Sequence, residues 1–69
     1  MGTFAAVKIT DDSYAVMDAD TFQWIEAVYV PPGEDVEQTI RDTVGILDHR
    51  TIVIMTKQEW EQKCKNAGV

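Results

Sequence analysis

The chain has one cysteine, one histidine and one serine among its 69 residues, and only six basic residues against twelve acidic ones. A lone thiol, Cys64, forms no internal disulfide and cannot supply a zinc site that needs several thiolates. The expected compartment is therefore the reducing cytoplasm. Ser13 and His49 would have to meet for a Ser-His-acid arrangement, and the topology expected below sets them at opposite ends of a sheet. The four glycines, at positions 2, 33, 45 and 68, build no phosphate-cradling loop. No apolar run approaches the roughly 18 residues of a membrane span, and MGTFAAVKITDD lacks a basic leader followed by a sustained apolar stretch. Membrane insertion and export are thus not expected, and neither is a cofactor.

The shortage of bases leaves a net charge of −6. It is unevenly spread: residues 1–56 hold ten acids and three bases, whereas residues 57–69 hold three lysines and two glutamates. An acidic body repels phosphate backbones, which argues against direct nucleic-acid binding. A protein partner with a basic surface, of the kind that normally holds nucleic acid, is the complementary expectation.

What is present is an ordinary globular composition, 45% apolar and 26% charged, in a length that suits one small domain over residues 1–69. FAAVKIT at 4–10 and YAVM at 14–17 flank Asp11-Asp12-Ser13 and read as a hairpin. In TFQWIEAVYV at 21–30, seven of ten residues are β-branched or aromatic. One alternating face holds Phe22, Trp24, Glu26, Val28 and Val30, as in a strand. A helix capped by Asp20 is the open alternative.

Pro31-Pro32-Gly33 suits a type II turn over 31–34, with proline pushing Val30 toward extended geometry. Asp35 then caps a helix, with Gln38 closing a capping box. Val36, Ile40, Val44 and Leu47 form its apolar stripe, and Gly45 sits inside it and weakens it, so fraying or an end of the helix is expected there. TIVIM at 51–55 is apolar on both faces, as in a strand covered on both sides. Thr56 and Glu59 make a second capping box for a short helix from Lys57 to about Asn66, with Trp60, Cys64 and Ala67 on one side.

The expected order is βββαβα: an α+β domain with a small, mainly antiparallel sheet of three or four strands and two helices. Asp11 and Asp12 should approach Glu34 and Asp35 at one end, while Asp18 and Asp20 approach Asp48 and His49 at the other. Neither group has the spacing of a calcium loop, so solvated turns and caps are preferred to a metal site. Cys64 reads as an inert thiol beside Trp60. No catalytic constellation stands out, and no enzyme is expected.

The aromatics offer more. Both faces of TFQWIEAVYV cannot be buried under one helix, so either Phe22 and Trp24 or Ile25 and Tyr29 are left for a partner. The function expected from these residues is a small acidic protein-binding module, an inhibitor or modulator of a larger macromolecular machine. Its size and charge are comparable to those of phage- or mobile-element-encoded inhibitors and nucleic-acid mimics. Asp11, Asp12, Phe22, Trp24, Glu34, Asp35 and Glu37 are its candidate contact residues. The alternative is a self-associating structural subunit whose spare apolar face is buried in a homodimer.

Overall fold

The computed structural model describes residues 2–69. It runs β1 (Thr3–Thr10), β2 (Ser13–Asp18), β3 (Trp24–Tyr29), α1 (Val36–Val44), β4 (Thr51–Thr56) and α2 (Lys57–Ala67). The strands form one sheet in the order β3-β2-β1-β4. The first three make an antiparallel meander, and β4 joins the far side of β1 in parallel. The α+β class and element order match the sequence expectation, and the stretch 21–30 is resolved in favour of a strand.

Alternation along β1 explains why the sheet is covered on both faces. Ala6 packs with Val16, Val28 and Ile52 beneath α1, while Ala5 and Val7 pack with Trp60 of α2 on the opposite face. Ala5, Ala6 and Val7 are all fully enclosed, so β1 is the central strand of the core. Small side chains on this strand allow a helix to lie close on each side.

The Pro-Pro-Gly corner forms as its composition dictates. The Glu34 amide donates to the Pro31 carbonyl at 3.1 Å, and Gly33 takes the positive φ of 90° that the third position of a type II turn requires. Asp35 caps α1 by accepting the Gln38 amide at 2.8 Å. The Gln38 side chain turns instead to Asp42, so the reciprocal half of the expected box is not made.

The apolar stripe of α1 stops short of its expected end. Gly45 adopts a left-handed conformation, φ 84°, and its amide closes the helix on the Arg41 carbonyl at 2.8 Å. Leu47 is therefore outside the helix and 60% exposed, and Ile46 takes the buried place. Arg41 secures this exit, since its guanidinium donates to the carbonyls of Leu47 and Arg50, both at 2.7 Å.

At Thr56, β4 passes into α2 without a loop. The Glu59 amide donates to the Thr56 hydroxyl at 3.0 Å and the Thr56 amide donates to the Glu59 carboxylate at 2.8 Å, completing the second capping box. Both helices start at the end of the sheet that holds the β1–β2 turn and run toward the opposite end.

Candidate protein-docking surface

The acidic candidates gather at the β1–β2 turn end. The Val30 amide donates to the Asp12 carbonyl at 2.8 Å, tying the turn that carries Asp11 and Asp12 to the corner that carries Glu34 and Asp35. Much of this acidity is used within the chain. Asp12 accepts the Thr10 hydroxyl at 3.0 Å, Asp35 caps α1, and Glu37 pairs with Arg41 at 2.9 Å. Among the described residues, no three of His, Cys, Asp and Glu are grouped so as to hold a metal ion.

Ser13 sits at this end beside Thr10, with the two hydroxyls hydrogen bonded, whereas His49 lies in the loop before β4 at the other end. Cys64 is half-buried against the cluster around Trp60.

Asp18 closes the turn that follows β2. Its carboxylate accepts the amides of Asp20 at 2.8 Å and Thr21 at 3.1 Å. These two amides hold its pKa below the ordinary value of 3.8, since they bond the charged form. The tight turn forces Phe22 to a positive φ of 63° and delays the start of β3 to Trp24.

That delay separates the two aromatic candidates. Phe22 packs against Trp60 with ring centroids 5.4 Å apart, and the Lys63 ammonium lies 5.9 Å from its ring centroid. It closes the core beneath α2. Trp24 lies open at 61% exposure, and Tyr29 is open to the same degree.

A β-bulge puts these two on one face. From Ser13–Tyr29 to Val16–Glu26 the β2–β3 pairing is regular, but Met17 then pairs with Trp24 because Ile25 is an extra residue. Ile25 packs into the core on the α1 side. Trp24, Ala27 and Tyr29 therefore share the α2 face, in place of either pair expected from strict alternation. Tyr29 is the exposed aromatic that sequence reasoning grouped with Ile25 instead of Trp24. No local signal marks the bulge in the sequence.

This face stays open because α2 packs on the β1–β4 half of the sheet. A helix is about 10 Å wide and strands lie about 4.8 Å apart, so one helix covers roughly two strands. The result is a shelf along β3, with Trp24 and Tyr29 standing about 14–16 Å apart along the strand on either side of Ala27. Beside it, Phe22, Glu59, Gln62, Lys63, Asn66 and Ala67 surround a shallow depression of about 490 Å³.

Comparison of the chain with protein-family models, curated proteins and solved structures finds no match.

Proposed function

We propose that the chain is a small acidic protein-binding module that docks on a larger macromolecular machine as its inhibitor or modulator. The observation that carries this reading is the exposure of Trp24 and Tyr29 together on the half of the sheet face that α2 leaves open. Tryptophan and tyrosine are the residues most often found at the energetic centre of protein interfaces, and Ala27 between them leaves room for a partner side chain.

The net charge of −6 supports a partner with a basic surface, approached by electrostatic steering and then anchored by the two aromatics. Asp11, Asp12 and Glu34 belong to the acidic end and contribute to steering, whereas Trp24 and Tyr29 carry the affinity. In this reading the module acts in the cytoplasm, needs no cofactor and performs no catalysis.

The test starts from a tagged copy purified from its native cell, with identification of the proteins it captures. The purified partner is then titrated calorimetrically against wild type, Trp24→Ala and Tyr29→Ala. Affinity lost in both variants supports the reading. Full affinity in both variants would sink it.

A further inference from the structure

The hydroxyl groups at the β1–β2 turn form a short hydrogen-bond chain with a fixed direction. Thr10 pairs across the turn with Ser13, and Ser13 pairs with Tyr29 on the next strand, so the three stand side by side on the α2 face. Thr10 donates its one hydroxyl hydrogen to the Asp12 carboxylate at 3.0 Å, and in its bond with the Ser13 hydroxyl the donor is therefore Ser13. Both hydrogens point toward the carboxylate. What an incoming group meets is acceptors alone: the lone pairs of Ser13 Oγ and the second carboxylate oxygen of Asp12.

No cation of the chain fills this place. The ion pair among the described residues is Glu37 with Arg41. Of the two lysines at this end, Lys8 lies opposite Tyr14 on the α1 face, and Lys57 follows β4 on the far side of β1. The Tyr29 ring, 61% exposed, stands beside the acceptors. Cross-strand neighbours lie about 4.5–5.5 Å apart, so ring and carboxylate bracket a space one or two strand spacings wide.

We propose, on the docking reading above, that the Tyr29 end of the shelf receives an arginine side chain of the partner, its guanidinium stacked on the Tyr29 ring and donating to the Asp12 carboxylate and the Ser13 hydroxyl oxygen. A guanidinium carries only donors, in a planar fork, and stacks on aromatic faces, which matches a site made of acceptors and one ring. An ammonium brings the charge without the fork or the flat face. A phosphate or carboxylate finds no hydroxyl donor here and is repelled by Asp11 and Asp12. A second copy of this chain does not supply the arginine. Arg41 is held by Glu37 and the carbonyls of Leu47 and Arg50, and Arg50 lies against Gly2 at the other end of the sheet. The occupant is therefore a foreign chain.

Random peptides displayed on phage, selected on the immobilised chain and counter-selected on Trp24→Ala, supply probes that use the shelf, and calorimetric titration of their synthetic forms tests the site. They should carry an arginine whose replacement by citrulline, its uncharged isostere, weakens binding by about tenfold or more, and whose replacement by lysine weakens it less. Asp12→Asn and Tyr29→Leu should each cause a loss of about that size. Tyr29→Phe, which keeps the ring, and Asp11→Asn, which removes the same charge one position away, should stay within about twofold of wild type.

A selection that yields no Trp24-dependent peptide removes the docking reading and this proposal with it. Trp24-dependent peptides that lack arginine, that bind equally well with citrulline or lysine in its place, or that are indifferent to Asp12→Asn or Tyr29→Leu overturn this proposal alone. So does a loss in Asp11→Asn as large as in Asp12→Asn, which reduces the effect to net charge. If Asp12→Asn does not fold, the citrulline comparison on the wild-type chain decides.

Discussion

Met17 of β2 faces Trp24 of β3, one residue earlier in β3 than the regular register would reach. This single pairing moves Trp24 out of the α1 face and aligns it with Tyr29. Because Trp24 is mostly solvated, Trp24→Ala should leave unfolding free energy within about 0.5 kcal/mol of wild type by urea titration. The same substitution should weaken partner binding by about 2 kcal/mol or more in calorimetry, as for an interface hot spot. On the proposed electrostatic steering, binding should also weaken as salt rises.

Gly45 makes a prediction whose sign separates two conformations. Inside a helix, Gly45→Ala would stabilise the protein by about 1 kcal/mol. In the left-handed cap seen here a Cβ meets no neighbour within 4 Å, so backbone strain alone acts. The expected outcome is a loss of about 1–2 kcal/mol, read from the urea midpoint.

Trp60 is the large side chain that fastens α2 to the sheet, packed on Ala5, Val7 and the ring of Phe22. Trp60→Ala should cost about 3–5 kcal/mol. A chain of this length has a total stability of roughly 3–10 kcal/mol, so that loss threatens the folded state itself. Far-UV circular dichroism should show a much lower melting temperature or an unfolded chain, whereas Trp60→Phe should remain folded.

Asp18 sets an acid limit. Its folded pKa is lowered by the amides of Asp20 and Thr21, so the folded chain binds fewer protons than the unfolded chain between the two pKa values. The stabilisation is present above the ordinary value of 3.8 and is lost as pH falls through it toward the folded value. Melting temperatures should therefore drop more steeply in wild type than in Asp18→Asn over acidic pH, with the variant less stable near neutrality. Parallel melting curves across acidic pH would refute this role.

The parts of the fold that local chemistry controls are legible in the sequence. Pro31-Pro32-Gly33 turns, Asp35 and Thr56 cap, and TIVIM becomes a strand, but at the edge of the sheet, where Val53 and Ile54 stay 43% and 48% exposed and the cover expected on both sides is incomplete. The sheet order is less legible, because β1 and β4 pair residues 48 positions apart, as Thr3 with Thr51, with no cue in either strand for that pairing. Leu47 shows how one backbone angle at Gly45 overrides a regular apolar spacing. The open aromatic face was half legible: the shortage of cover for TFQWIEAVYV follows from counting helices, but which aromatics stay open depends on the Asp18 turn and the Ile25 bulge. Both are settled by pairing with β2 and by hydrogen bonds to Asp18, which periodicity does not report.

The shared direction of α1 and α2 gives the molecule an electrical polarity distinct from its net charge. Each helix start carries roughly half a positive elementary charge, and both starts lie at the end that holds Asp11, Asp12, Glu34 and Asp35. The aligned peptide groups therefore offset part of that acidity locally, while their negative ends add to Asp18, Asp20 and Asp48 at the far end. Seen from a Debye length away, the two ends differ less in potential than their carboxylate counts imply. A basic partner would thus be drawn to the whole body of the module, and its orientation would be decided at contact, by the aromatics.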